Sequence, residues 1–294
     1  MIKKASANML PRLKRIWQGC FEESKEATDF VFENLLGPDQ MLVEADENDR
    51  PIAMLNWKML RFATPKKSLA GAYIYGVATL PEHRGKGIST ALLEHVGQLF
   101  EEGGISLACL VPAQESLLDF YAGRGFEPRF YYKLVSLSRE EIPAPSREGA
   151  LSVAELDELE PIREKAFAGR ALFGGWDTNY LKYVSSECRF LGGEVLRFAC
   201  GGNVGYAVCY PQKSGAILVK EAVATGPDLN VLLAALDKRY GAPSYQLRLP
   251  ADFEFENKWT VKIVPFGAVK WYNKESEGAL TQGGAPWFAF GLDS

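Results

Sequence analysis

Residues 74–93, IYGVATLPEHRGKGISTALL, constrain this chain more than any other stretch. Residues 74–79 are rich in β-branched and aromatic side chains, as a strand requires. Residues 81–87 form a basic turn that carries two glycines. After it, Leu92, Leu93, Val96, Leu99 and Phe100 recur at helical spacing, and Gly103-Gly104 stop the helix. A strand, a glycine turn and a helix in this order build a phosphate site. The turn aims backbone N–H groups at an anion, and the helix start adds its positive dipole end. Gly85 and Gly87 let the backbone approach the anion with no Cβ in the way, while Arg84 and Lys86 add countercharge.

The surrounding pattern predicts an α/β fold, a mixed sheet with helices packed on it. Leu10, Leu13, Ile16, Trp17, Phe21, Phe30, Val31 and Leu35 mark two short helices within residues 9–36, closed by Gly37-Pro38. Residues 40–45, 52–62 and 69–80 read as strands, 105–111 as a buried strand, 114–122 as a short helix and 130–137 as a strand. The polar stretch 138–149, SREEIPAPSREG, predicts a linker between a domain over 1–137 and a second over 150–294. In the second, helices over 156–168 and 179–184 precede hairpin strands over 194–199 and 203–210. A strand over 216–224, a helix over 229–240 and a strand over 245–249 complete it. The order repeats that of the first half, so the domains are tandem copies. The second copy is degenerate. Its corresponding turn, ATGPDLN at 224–230, holds no cation, Asp228 would repel phosphate, and Pro227 removes an N–H. This predicts a domain kept for packing or for shaping an acceptor site.

A formal charge of −4, shared evenly by the two halves, gives no basic face for nucleic acid or an anionic membrane. No apolar run approaches the ~20 residues of a membrane helix. The N-terminus lacks the apolar core of a secretory signal, which predicts a cytoplasmic protein. The five cysteines are scattered, without a C-x-x-C pair, and only His83 and His95 are histidines. No disulfide framework and no metal site is expected. Cys109 and Cys209 read as small core residues, and His83 as a solvated loop residue.

Over residues 1–137 the chain resembles the GCN5-related N-acetyltransferases, the GNAT superfamily. The family's pyrophosphate pattern, Arg/Gln-x-x-Gly-x-Gly/Ala, falls on Arg84, Gly87 and Ser89, with serine at the last position. The resemblance implies acetyl-CoA as co-substrate. Its pyrophosphate would lie on the amides of Arg84, Gly85, Lys86, Gly87, Ile88, Ser89 and Thr90, and its pantetheine arm along the backbone of Val77 and Thr79. Residues 116–126, SLLDFYAGRGF, are similar to the family's segment near the thioester sulfur. This implies Tyr121 as general acid, since a phenol of pKa near ~10 can protonate a departing thiolate at neutral pH. The competing reading of Tyr121 is a core aromatic beside Phe120. Ser116 stands where many relatives have an asparagine that contacts coenzyme A.

The two-domain length and the phrase VATLPEHRGKGIS are similar to the Eis-like branch of the superfamily, where an active domain is coupled to a degenerate one. There the chain end reaches the active site, which implies the Ser294 carboxylate as base, with Asp293 second. The plainer reading of the aromatic end 286–294 is a last strand packed on the sheet. Residues 72–79 lack the strand glutamate that many members use as base, and Glu82 reads as solvated. The expected function is acetyl transfer from acetyl-CoA to a primary amine of a small molecule or peptide. The alternative is a catalytically silent module that binds acetyl-CoA or a partner. Either is compatible with an oligomer.

Overall fold

The computed structural model describes residues 1–278 and 283–289. The chain forms two compact units that are not contiguous in sequence. Unit 1 is Met1–Arg61, Leu69–Glu127 and Ala268–Gly278, and unit 2 is Phe62–Ser68, Pro128–Gly267 and Ala279–Ser294. Both combine helices with a mixed sheet.

Unit 1 begins with β1 (Ile2–Lys4), α1 (Leu10–Phe21) and α2 (Lys25–Asn34). Helix α1 buries Leu13, Ile16 and Trp17 on one stripe, and α2 starts on Ser24, whose side chain accepts from the Ala27 N–H at 3.1 Å. Strands β2 (Met41–Ala45), β3 (Pro51–Ala63) and β4 (Ser68–Thr79) follow, then α3 (Ile88–Glu102), β5 (Leu107–Leu110) and the short α4 (Leu118–Ala122). β4 and β5 are parallel because α3 crosses between them. Leu92, Leu93, Val96 and Phe100 of α3 pack on Leu55, Trp57, Ala72 and Ile74. Each such burial contributes about 1.5–3 kcal/mol relative to exposure.

Unit 2 contains β6 (Glu127–Ser138) from Pro128 onward, β7 (Ala150–Val153), α5 (Leu156–Phe167), β8 (Phe173–Gly174) and α6 (Thr178–Phe190). Next come β9 (Glu194–Cys200), β10 (Asn203–Pro211), β11 (Ile217–Val223), α7 (Gly226–Tyr240), β12 (Ser244–Pro250) and β13 (Thr260–Trp271). β11 and β12 are parallel across α7, as β4 and β5 are across α3. Helix α6 is twice the predicted length. Asp177 caps it by accepting from the Tyr180 N–H at 2.7 Å, and Cys188 is buried in its last turn.

The interleaving arises from two strands. β6 pairs with β12 in unit 2, from Ser244↔Ser138 to Pro250↔Tyr132. The last four residues of β13 return to unit 1 and pair with β5, from Ala268↔Leu110 to Trp271↔Leu107. Residues 138–149 lie inside unit 2, and Glu141 closes a capping box on Ser138 there. No helix among the described residues is long and apolar enough to cross a membrane.

Candidate active site

The parallel register of β4 and β5 runs from Gly71↔Leu107 to Ile74↔Leu110, where β5 ends. β4 continues for five residues to Thr79. Gly76 turns the strand at this point with φ +60, and a Cβ there would strike the Trp17 ring and stand 2.8 Å from Asn56 Nδ2. Only glycine meets both demands. Beyond Ile74 the strand has run past the end of β5 while it still neighbours β3, and these residues lead into the basic turn.

The turn is set by two further left-handed glycines, Gly85 at φ 75 and Gly87 at φ 76. A Cβ at either would meet nothing within 4 Å, so backbone conformation, not crowding, requires glycine. Gly87 is the N-cap of α3 and supplies no capping side chain. The first-turn N–H groups of the helix and its dipole thus face a cleft of about 270 Å³. Thr79, Arg84, Gly85, Gly87, Ile88, Ser89 and Thr90 line the cleft with His83, Phe120 and Arg124. The Thr79 and Ser89 hydroxyls lie 3.0 Å apart and join the strand end to the helix start.

The cations of the turn are committed locally. Arg84 Nε donates to the Thr79 carbonyl at 3.0 Å, and its Nη2 lies 3.9 Å from Cys20 Sγ. Lys86 Nζ donates to the Glu82 carbonyl at 3.1 Å and does not line the cleft. His83, expected in solvent, is half-buried in the cleft wall.

Arg124 was not legible as a site residue. Its guanidinium lies 3.5 Å over the Phe120 ring, and its Nε and Nη2 donate to Thr90 Oγ1 at 2.9 and 2.6 Å. Gly123 and Gly125 around it signal a turn, but nothing local joins residue 124 to residue 90.

Tyr121 is buried, with its ring edge-on to Phe120 at 5.1 Å and near Phe126 at 6.1 Å. Burial pushes its phenol up to about 12, against a smaller opposing pull from the Arg124 charge. Tyr121 does not line the cleft, and its phenol keeps its proton at neutral pH. Val77 packs on the unit 1 core, while Ser116 is exposed in a 3₁₀ turn, and neither lines the cleft. Ser294 and Asp293 lie outside the described residues.

The family model described as an acetyltransferase (GNAT) domain matches residues 1–129. The matched part, less than half of the chain, is similar to a GNAT acetyltransferase domain. The match takes in the glycine turn, α3, Tyr121 and Arg124, and it ends two residues past Glu127, where the second stretch of unit 1 ends. The match over residues 1–129 supports an acyltransferase. No curated protein matches this sequence. Several solved structures share the fold. A probable N-acyltransferase from Enterococcus faecalis V583 aligns with TM-score 0.77 and 16% identity, over 94% of this chain and 73% of its own. A GCN5-related N-acetyltransferase from Anabaena variabilis gives 0.74 and 15%, over 94% and 74%. Eis1 from Mycobacterium abscessus gives 0.73 and 17%, over 94% and 75%.

Proposed function

We propose that this chain transfers an acetyl group from acetyl-CoA to a primary amine of a small molecule or peptide. The observation that carries this reading is the uncapped start of α3 behind two left-handed glycines, facing a cleft beside the end of β4 that runs past β5. Backbone N–H groups and the helix dipole there suit a pyrophosphate. The edge of β4 beyond Ile74 suits an extended arm that pairs as a strand would. The residues present therefore fit acetyl-CoA.

In this reading the amides from Arg84 through Thr90 hold the phosphates, and the backbone of Val77 and Thr79 orients the thioester arm. Acetyl-CoA supplies the acyl thioester. The amine nitrogen attacks the carbonyl carbon, the C–S bond breaks, and the sulfur leaves with the electron pair. Tyr121 holds a proton that it can share with the leaving sulfur. The amine proton passes to solvent or to a base, for which the Ser294 carboxylate stands as our proposal. Burial keeps the Tyr121 phenol protonated but makes it a weaker acid than a free phenol, so its part is to donate a hydrogen bond to the departing sulfur. The second domain holds no co-substrate in this reading, because Asp228 is buried in the first turn of α7.

Calorimetric titration of acetyl-CoA tests the reading. Wild type binding one equivalent per chain, with binding lost in Gly87→Glu, is the expected result. Folded wild type that binds none would overturn it.

A further inference from the structure

Arg124 and Thr90 lie 34 residues apart in sequence and meet across the mouth of the cleft. Thr90 is the third residue of α3, so the guanidinium sits beside the helix start. Its partners are all neutral: Thr90 Oγ1, the Phe120 carbonyl and the Phe120 ring face. No carboxylate among the described residues forms an ion pair with it. The positive charge is therefore fixed in place but not neutralised. A guanidinium has five N–H donors, and these hydrogen bonds use three of them. The Thr90 hydroxyl accepts from Arg124 and keeps its own proton to donate. Side-chain stacking on Phe120 holds the planar group in one orientation, which reduces the ordering that ligand binding would require.

Arg84 and Lys86 are less well suited to this task. Both are exposed, and both spend a donor on a carbonyl of their own turn. The half-buried cation facing the cleft is Arg124.

We propose that Arg124, with the Thr90 hydroxyl, binds a phosphate group of the acyl donor and makes the protein select a phosphorylated donor over the bare thioester arm. The inference rests on the acetyl-CoA reading above, and it assigns a specificity residue within that site. A purely structural Arg124 is the rival explanation. Its backbone N–H donates to the Tyr121 carbonyl at 2.9 Å, and its side chain reaches the Phe120 carbonyl, so it also ties α4 to α3.

The two roles separate by donor. Dissociation constants for acetyl-CoA, S-acetylpantetheine and inorganic pyrophosphate would be measured for wild type, Arg124→Gln and Arg124→Lys. Thermal melting would confirm that each variant is folded. We expect Arg124→Gln to weaken acetyl-CoA and pyrophosphate by about 10- to 100-fold, the loss of one charge-assisted contact. S-acetylpantetheine, which has the thioester but no phosphate, should change by less than about 2-fold, and Arg124→Lys should recover part of the acetyl-CoA affinity. Equal weakening of all three ligands, or an unchanged acetyl-CoA constant, would overturn the proposal. Wild type that binds pyrophosphate through Arg124 but not acetyl-CoA would overturn the acetyl-CoA reading and leave a phosphate site. Wild type that binds neither would overturn both.

Discussion

Helices α3 and α7 each follow a strand and a short turn, and each crosses to a parallel strand, yet their N-termini differ in what they face. α3 starts on left-handed Gly87 with no capping side chain and a cleft in front of it. α7 starts on Thr225 and carries Asp228 in its first turn, 1% exposed. The Asp228 carboxylate accepts from Arg147, from Asn203 Nδ2 at 2.8 Å and from Thr225 Oγ1 at 2.6 Å. Burial opposes its ionisation, but these donors hold its carboxyl below the usual range. One helix start thus meets its dipole with an internal anion, and the other leaves it for an external one. A cleft lies beside each helix start, so the difference between them is the buried Asp228 carboxylate and not the presence of space.

The cores differ in a second way. Unit 2 encloses a charged pair, Arg163 and Glu221, each 1% exposed, with Arg163 Nε donating to Glu221 Oε1 at 2.9 Å. Trp287 Nε1 donates to the same carboxylate at 2.6 Å, as does the Tyr206 hydroxyl, and the guanidinium lies 4.1 Å over the Trp176 ring. No buried ion pair of this kind occurs among the described residues of unit 1. The largest expected effect tests this contrast. Arg163→Ala strands a buried carboxylate and should cost about 3–5 kcal/mol in denaturant unfolding. A loss below about 0.5 kcal/mol would mean that the pair is not the keystone of unit 2.

Gly87→Glu attacks the open helix start. It forces a side chain into the left-handed region and puts a carboxylate before the dipole, so acetyl-CoA should weaken by more than about 100-fold, or about 2.7 kcal/mol. The matching change in unit 2, Asp228→Gly, should leave the stoichiometry at one per chain. A second equivalent bound would show that Asp228 alone had closed that site.

Tyr121→Phe should lower kcat by about 10- to 100-fold with the acetyl-CoA dissociation constant unchanged. Because the phenol is raised to about 12, its donating form persists until pH climbs through that value. A kcat profile that falls below about pH 11 and is flattened by Tyr121→Phe would contradict this. The smallest effect belongs to Asp228→Asn, about 1–2 kcal/mol of stability by thermal melting at neutral pH. A lowered folded pKa makes the carboxylate's contribution complete above the unfolded value, about 3.9, and lost as pH falls through the folded one. The wild type and the variant should therefore converge in acid.

Local periodicity made most elements legible: α3, β4 and the hairpin of β9 and β10 each carry their own signal. β13 does not. Pro265 and Gly267 interrupt it, as they would an ordinary strand, and its first four residues are exposed. Its pairing with β5 across so long a sequence separation leaves no local mark. The glycines of the candidate site were legible because a turn needs them where they stand. Their reason was not: the space beside Gly85 and Gly87 is open, and the crowded glycine is Gly76. Arg124 escaped because its role depends on Thr90, which only the fold brings near.

The return of Ala268–Trp271 to β5 has a consequence for how the chain is made. Ala268 and Val269 are each 1% exposed in unit 1, so their strand is part of that unit's interior and not an ornament. They leave the ribosome roughly 140 residues after Glu127. At ordinary elongation rates that is a wait of roughly 7–30 s, during which β5 has an unpaired edge. A gene cut after Glu127 would encode every residue of the cleft and still lack the strand that closes its sheet. The half of the protein that is born first must wait for a strand made only after most of the other half.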